Sequence, residues 1–230
     1  MASQTTNVVL VHGAWADESG WEKVARQLRS NGLNVVTASL PLSSLADDTA
    51  ALDRQLEDLS GPVVLAGHAY AGAVIGTIRH PRVRALVYIA GLAPAEGETV
   101  ADVFYRYEQD PRAPRLAPGA DGLIRLPPEA IATAFTQDAT PEEQAVLAAG
   151  QAPISPLCIT VPVGRPRWLD VPAWYLLAEQ DRMIPAKTQR FMAERMQAHI
   201  RALPVDHLPN VTAPAAVTAL ILDAVAQTGG

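Results

Sequence analysis

Residues 63–79 read VVLAGHAYAGAVIGTIR, and this stretch decides the fold. Residues 63–66 form a short apolar, β-branched run, which is typical of a strand buried on both faces of a sheet. Residues 67–72 (GHAYAG) form a turn bounded by glycines, and residues 71–79 follow it with a pattern typical of a packed helix. The stretch therefore predicts a buried strand, a tight turn and a helix in direct succession.

The same alternation of strand and helix patterns extends to both sides of this stretch. The predicted strands are residues 7–11, 34–38, 63–66, 85–90, 173–178 and 200–203. Ser19, with Glu22 three residues later, predicts the start of the first helix by a capping box. The other predicted core helices cover residues 45–59, 71–79, 187–197 and 214–226. Strands that alternate with helices over short connections predict a parallel α/β sheet.

The alternation stops between residues 91 and 172. Twelve of the 19 prolines of the chain fall in this segment, and its apolar residues form only short helical patterns around 128–135 and 142–149. Such an interruption is typical of an insertion that lies over one end of the sheet. We therefore expect one domain over residues 1–230, with a core of residues 1–91 and 172–230 and a lid of about residues 92–171.

The composition indicates a folded protein and argues against several functional classes. Hydrophobic residues make up 49% of the 230 residues, which is enough to offset the entropy of ordering the chain. The 18 Lys and Arg residues are scattered and are outnumbered by 24 Asp and Glu; the net charge of −6 argues against binding to nucleic acid. The five histidines and Cys158 show no metal-ligand spacing, and no GxGxxG pattern occurs. We expect neither a metal nor another cofactor.

The sequence predicts a cytoplasmic protein that does not contact a membrane. A single cysteine excludes an intramolecular disulfide and fits a reducing compartment. The first seven residues lack the basic region of a secretory signal. Residues 60–78 carry no charge and approach the length of a membrane span, but Pro62 and four glycines favour the strand, turn and helix instead. The sequence leaves the oligomeric state open.

Chemically functional residues follow four of the predicted strands. Residues 12–15 (HGAW) follow the first strand, residues 67–72 follow the third, Asp181 follows the fifth and His207 follows the sixth. Because ligands of an open α/β sheet bind beyond the carboxyl ends of the strands, we expect these residues to meet there. A carboxylate and then a histidine late in the chain is the order of acid and base in α/β hydrolases.

With these residues the chain resembles the α/β-hydrolase superfamily over essentially its whole length. It is similar in particular to compact bacterial esterases and to the plant esterases and hydroxynitrile lyases. The resemblance implies an α/β-hydrolase fold, with a mostly parallel central sheet flanked by helices and a small helical lid inserted after the region of the family's sixth strand. In that family the turn corresponding to residues 67–72 usually reads GHSYGG, and its serine is the nucleophile.

The resemblance also implies roles for individual residues. Ala69 stands at the position of the serine nucleophile, Asp181 at that of the acid and His207 at that of the base. The backbone N–H groups of Ala14 and Tyr70 are expected to form the oxyanion hole.

The alanine at position 69 departs from the family pattern. Ala69 has no side-chain oxygen, so an acyl-enzyme cannot form there, and a serine or aspartate nucleophile is excluded for this sequence. Either the natural protein lacks the nucleophile or a serine has been replaced. Ala71 favours the first interpretation, because the family usually has glycine there and a replacement at one site would leave that glycine in place. Leu208 stands where the plant lyases have a lysine, which argues against cyanohydrin cleavage but leaves other lyase, isomerase or hydration reactions open.

The remaining groups predict acid–base chemistry without a cofactor. His207 is expected to act as the general base, with Asp181 holding its tautomer and the backbone N–H groups stabilising an oxyanion. The expected substrate is a small apolar carbonyl or ester-like molecule. The alternatives are a protein that binds such a ligand without turning it over and a carboxylesterase inactivated by Ser→Ala replacement.

We expect a largely apolar substrate pocket around this site. Trp15, His12 and His68 are predicted to line it. The two histidines are expected to form structural hydrogen bonds and to take no part in the reaction. Arginines and tyrosines alternate in the lid, where they form either a solvated face or a patch that attracts an anionic or aromatic substrate. These residues are Tyr105, Arg106, Tyr107, Arg112 and Arg115.

Overall fold

The protein folds around one parallel sheet. The structure is a computed structural model that describes residues 6–228. Within these residues, six strands are arranged in the order β2-β1-β3-β4-β5-β6, and every neighbouring pair is parallel. The strands are β1 (Asn7–Val11), β2 (Asn34–Ala38), β3 (Val63–His68), β4 (Val83–Ile89), β5 (Ala173–Ala178) and β6 (His199–Leu203). The predicted parallel α/β sheet is thus confirmed.

Helices connect the strands and cover the sheet. The core helices are α1 (Glu22–Ser30), α2 (Leu45–Glu57), α3 (Ala71–Thr77), α7 (Ala186–Arg195), α8 (Pro209–Thr212) and α9 (Pro214–Thr228). Three more helices lie between β4 and β5: α4 (Val100–Phe104), α5 (Pro128–Ala130) and α6 (Pro141–Ala149). A π-helical turn (Ile131–Phe135) continues α5, and short 3-10 helices occupy Glu18–Trp21, Pro156–Cys158 and Arg167–Leu169.

Helices pack on both faces of the sheet, and successive side chains of a strand point to opposite faces. Each strand therefore contributes side chains to two apolar clusters. On one face, Val8 and Leu10 of β1 pack with apolar residues of α1 and α9. On the other face, Val9 and Val11 pack with α2, α3 and α7. This two-sided burial explains why the strands read as continuous apolar runs rather than as alternating ones.

Residues 92–171, which we call the insert, follow β4 and pack over the face that carries α2 and α3. An antiparallel bridge joins Ile124 and Ile154, with N–H···O distances of 2.8 and 3.0 Å. One of the hydrogen bonds between the insert and the core runs from the Ser155 N–H to the Leu42 carbonyl, at 2.9 Å. Its buried side chains, such as Phe135, belong to the same apolar cluster as that face of the sheet.

Two local details differ from the sequence-based predictions. Asp17, rather than Ser19, caps the first helical segment: its carboxylate accepts the Ser19 N–H at 2.9 Å, and Ser19 lies inside the 3-10 turn. Helix α4 was not predicted, because five residues are too few to show a helical period. Its start is fixed by a capping box between Thr99 and Asp102.

The uncharged residues 60–78 contain β3 and α3, as predicted. Among residues 6–228, the structure has no helix whose length and apolar character would let it cross a bilayer.

The packing between α3 and the chain after β4 predicts a test on stability. A Cβ atom at Gly72 would lie 2.6 Å from the Leu92 carbonyl oxygen, whereas one at Gly164 would have no neighbour within 4 Å. We expect Gly72→Ala to lower the free energy of unfolding by about 1–3 kcal/mol through overpacking, and Gly164→Ala to leave it nearly unchanged. Urea denaturation of both variants provides the measurement, and equal midpoints would contradict this account of the packing.

Candidate active site

A sharp turn follows β3 at the carboxyl edge of the sheet. Ala69 has a φ of 47°, in the left-handed region that residues with a Cβ atom rarely adopt. Three backbone hydrogen bonds hold this turn: the Ala69 N–H donates to the Ile89 carbonyl at 3.1 Å, and the Ala69 carbonyl accepts the N–H groups of Gly72 at 3.0 Å and of Leu92 at 2.9 Å. A left-handed alanine costs about 1–3 kcal/mol. The surrounding structure therefore imposes the turn.

Three glycines allow other parts of the backbone to approach this turn closely. A Cβ atom at Gly67 would lie 2.8 Å from the Ala71 carbonyl oxygen, and one at Gly13 would lie 3.2 Å from the Ala69 Cβ atom. Gly72 is equally confined, as described above. The loop after β1 and the start of α3 can therefore converge on Ala69 only with glycine at these positions.

The structure brings Asp181 and His207 together. The distance between His207 Nδ1 and Asp181 Oδ2 is 2.8 Å, and both side chains are buried. The Asp181 carboxylate also accepts the N–H groups of Met183 at 2.7 Å and Ile184 at 2.8 Å, as well as the Gln189 side-chain amide at 2.8 Å. With acceptor-only oxygens facing Nδ1, the imidazole carries its proton on that nitrogen, and Nε2 presents a lone pair.

His207 and Ala69 lie on the wall of the same cavity. Within residues 6–228, no protein group forms a hydrogen bond with His207 Nε2. The cavity wall therefore carries the imidazole of His207 and, at position 69, only a methyl group.

The predicted oxyanion-hole residues, Ala14 and Tyr70, also line this cavity. Neither backbone N–H has a hydrogen-bond partner within residues 6–228. Each residue adjoins a left-handed residue, since Trp15 (φ 59°) follows Ala14 and Ala69 precedes Tyr70. The Trp15 indole N–H donates to the Ile124 carbonyl at 3.0 Å, which fixes this part of the loop against the insert.

His12 and His68 lie behind the cavity and not on its wall, in contrast to the prediction that they line it. The Leu40 N–H donates to His12 Nε2 at 3.0 Å, so His12 is neutral and its Nδ1–H donates to Gly13 at 2.9 Å. His68 Nε2 lies 2.8 Å from the carbonyl oxygen of His207. Burial, together with the neighbouring His207, lowers the pKa of His68 well below its usual range. Both side chains hold backbone segments, as their expected structural role requires.

The cavity is small and mostly apolar. Its volume is about 70 Å³, and apart from His207 its walls are formed by aliphatic, aromatic and methionine side chains. The lining residues are Ala14, Trp15, Ala69, Tyr70, Leu92, Val100, Ala101, Phe104, Tyr105, Leu116, Ile124, Ile154, Ile159, Met183, Ile184 and His207. About half of them belong to the insert. Such a cavity accepts a neutral apolar molecule in preference to a charged one.

The Tyr70 side chain belongs to a buried polar cluster with Asp48 and Cys158. The sequence analysis did not predict this cluster. The Tyr70 hydroxyl donates to Asp48 Oδ2 at 2.6 Å, and the Cys158 thiol lies 3.6 Å from the same oxygen. Asp48 Oδ1 accepts the Leu42 N–H at 2.7 Å. Burial raises the pKa of the Asp48 carboxyl and that of the Tyr70 phenol. This cluster joins α2, the turn after β3 and the insert.

A second buried carboxylate, Asp206, precedes His207 in the chain. It accepts the Thr212 hydroxyl at 2.6 Å and the N–H groups of Leu208 and Asp138, each at 3.2 Å. Burial raises the pKa of Asp206. Asp206 does not line the cavity, and its bonds to the Thr212 hydroxyl and to two backbone N–H groups support the loop that carries His207.

The arginines of the insert do not line the cavity. Arg106 forms an ion pair with Glu98 at 2.7 Å and stacks on the Phe191 ring at 4.4 Å, and Arg112 pairs with Asp110 at 2.6 Å. These contacts favour the interpretation as a solvated face. Within the described residues, no group of three or more His, Cys, Asp or Glu side chains is arranged to hold a metal ion.

The sequence matches the family described as "Alpha/beta hydrolase family" over residues 8–220. It is similar to a carbendazim hydrolyzing esterase of Nocardioides sp. (strain SG-4G), with 32% identity over 111 residues; the match covers 41% of this chain and 45% of that protein. It is also similar to a pyrethroid hydrolase of Sphingobium wenxiniae, with 25% identity over 254 residues, covering 95% of this chain and 87% of that protein.

Solved structures show the same fold. A pyrethroid hydrolase from Sphingobium faniae JZ-2 superposes with a TM-score of 0.80 at 22% identity, covering 96% of this chain and 97% of that one. Polyneuridine aldehyde esterase superposes with a TM-score of 0.78 at 18% identity, covering 96% and 99%. The predicted α/β-hydrolase fold is thereby confirmed.

The buried cluster around Asp48 predicts an unreactive cysteine. Burial raises the pKa of the Cys158 thiol to about 12 from an ordinary value of 9.0, so almost no thiolate is present at neutral pH. We expect the folded protein to resist iodoacetamide at pH 8 and the urea-unfolded protein to be alkylated on Cys158, as followed by mass spectrometry. Rapid alkylation of the folded protein would show that the thiol is accessible and ionised.

Proposed function

Because the chain belongs to the alpha/beta hydrolase family, we propose that it is an esterase-like hydrolase that works without a serine nucleophile and without a cofactor. Its substrate is a small apolar ester or related carbonyl compound. The observation that supports this proposal is the 2.8 Å contact between His207 Nδ1 and Asp181, with His207 and Ala69 on the wall of the same cavity. Such a pair is the general base of this fold.

In the proposed reaction, the ester lies in the apolar cavity with its carbonyl oxygen near the N–H groups of Ala14 and Tyr70. His207 Nε2 removes a proton from a water molecule as the water oxygen attacks the carbonyl carbon. The tetrahedral oxyanion accepts hydrogen bonds from the two N–H groups, and Asp181 stabilises the imidazolium. When the intermediate collapses, the bond to the alcohol breaks and the alkoxide takes the proton from His207. The products are a carboxylic acid and an alcohol.

The expected rate is modest, because water replaces a nucleophile that the protein would otherwise hold in place. Each oxyanion-hole donor contributes about 10²–10³ to kcat, and serine hydrolases without a functional triad retain about 10³–10⁴-fold acceleration over water. The proposed site keeps the stabilisation of the oxyanion by two N–H donors and adds a general base. Its rate is thus expected to lie between that of an intact esterase and that of a site stripped of its triad.

A ligand-binding protein without turnover is the second candidate. The methyl side chain of Ala69 favours it, since no covalent intermediate can form. The Asp181–His207 pair argues against it, because binding an apolar ligand does not require a buried imidazole whose Nε2 lacks a partner in the part of the chain that the structure describes.

Replacement of His207 separates these two candidates. We expect His207→Ala to lower the hydrolysis of short-chain p-nitrophenyl esters by at least about 10²-fold, because general-base catalysis typically contributes 10²–10⁴. Initial rates of wild type and variant give the comparison. His80→Ala removes a histidine outside the cavity and serves as the matched control. Ligand binding by wild type with no products, or equal rates in His207→Ala, would favour the binding protein.

Restoring the oxygen at position 69 tests the absence of a nucleophile. The left-handed turn is already in place, so Ala69→Ser is expected to add an acyl-enzyme route and to produce a burst of p-nitrophenol before the steady state. Wild type is expected to show slow linear release without a burst. An inactive wild type together with a highly active Ala69→Ser variant would instead identify the chain as an esterase inactivated by Ser→Ala replacement.

A further inference from the structure

Phe135 contacts the candidate base without touching the cavity. Its side chain is fully buried, and its ring centroid lies 5.3 Å from that of His207, with an angle of 53° between the planes. The same ring meets the Trp15 indole edge-on at 6.4 Å. Phe135 is absent from the cavity wall. It can therefore influence His207 only through packing and not through contact with a substrate.

The His207 imidazole needs such packing because only one of its nitrogens is bonded to the protein. Asp181 holds Nδ1, and Nε2 has no protein partner within residues 6–228. In a Ser-His-Asp triad, the aspartate orients the imidazole through Nδ1, and the serine hydroxyl supplies a second hydrogen bond at Nε2. With alanine at position 69 that second bond cannot form, and the aromatic rings beside His207 are those of Phe135 and of His68, whose ring centroid lies 4.8 Å away.

Three hydrogen bonds tie the segment around Phe135 to the loops that carry the acid and the base. We call residues 131–138 the clamp segment. Arg182 donates to the Thr133 carbonyl at 2.7 Å, and the Gln137 amide donates to the Gln180 carbonyl at 2.8 Å; Gln180 and Arg182 are the two chain neighbours of Asp181. On the other side, the Asp138 N–H donates to Asp206, the neighbour of His207, at 3.2 Å.

The backbone of the clamp segment has an uncommon conformation. The Thr136 N–H donates to the Ile131 carbonyl at 2.8 Å, a bond across five residues that widens the turn into a π-helix. The buried Thr136 hydroxyl has no hydrogen-bond partner within residues 6–228. Single π-helical turns occur often at functional sites, and a buried hydroxyl without a partner costs stability. Both features fit a segment shaped by a role other than stability.

We infer that Phe135 is a positioning residue: held by the clamp segment, it fixes the plane of the His207 imidazole in place of the missing serine hydroxyl. The inference rests on the proposed role of His207 as the base. The titratable groups that face the ring are Asp181 at Nδ1 and His68 beside the ring, with Asp206 next to it in the chain.

The test uses a signal that does not depend on turnover. The Nδ1–H proton of His207, bonded to Asp181 in a buried site, is expected to give a downfield proton resonance that exchanges slowly with water. Phe135→Leu keeps an apolar side chain but removes the flat ring. We expect exchange of this proton to become at least about tenfold faster, because the imidazole opens more often. Kinetically, kcat is expected to fall while KM stays constant, since Phe135 does not line the cavity.

Two further variants make the result decisive. Arg182→Met removes one tether at the protein surface without opening the core, and it is expected to accelerate the same exchange if Phe135→Leu proves too unstable to study. Phe191→Leu is the matched control: this ring packs with Arg106 away from His207, so the resonance should not change. Unchanged exchange in folded Phe135→Leu, or in Arg182→Met, overturns the inference. Because the resonance is observed without substrate, an inactive wild type would refute the proposed function and leave this test intact.

Discussion

The left-handed backbone at Ala69 is the constraint on which the candidate site depends. It turns the chain from β3 into α3 at a single residue and leaves the Tyr70 N–H beside the cavity without a backbone partner among residues 6–228. The close approaches around Gly67 and Gly13 are possible only because those residues lack Cβ atoms. The turn therefore lies at the carboxyl ends of the strands, where open α/β sheets bind their ligands.

Three buried carboxylates stabilise the irregular loops around this turn. Asp181, Asp48 and Asp206 each accept at least one backbone N–H that no strand or helix satisfies. Buried backbone donors without partners would cost stability, and carboxylates can accept several bonds at once. Loops at the edge of the sheet can therefore be held in place without regular secondary structure. Two of these carboxylates contact the insert as well, so the core and the insert position the site together.

The sheet and the positions of Asp181 and His207 could be predicted because both depend on local pattern. Apolar runs identify strands, and residues that follow parallel strands must meet at one edge. The contact between Asp48 and Cys158 could not be predicted, since it joins residues 110 positions apart through packing alone. Sequence neighbours also do not reveal which way a side chain points. His12 and His68 adjoin cavity residues in the chain, yet their rings turn away to bind backbone groups.

The turn after β3 has a genetic consequence. Alanine and serine codons interconvert by a single-base change, whereas a left-handed turn with closely packed glycines requires several residues to agree. This chain keeps the left-handed turn and the confined glycines around it, and position 69 carries a methyl group. A change between alanine and serine at position 69 therefore alters the side chain at this turn without requiring any change in the backbone that holds it.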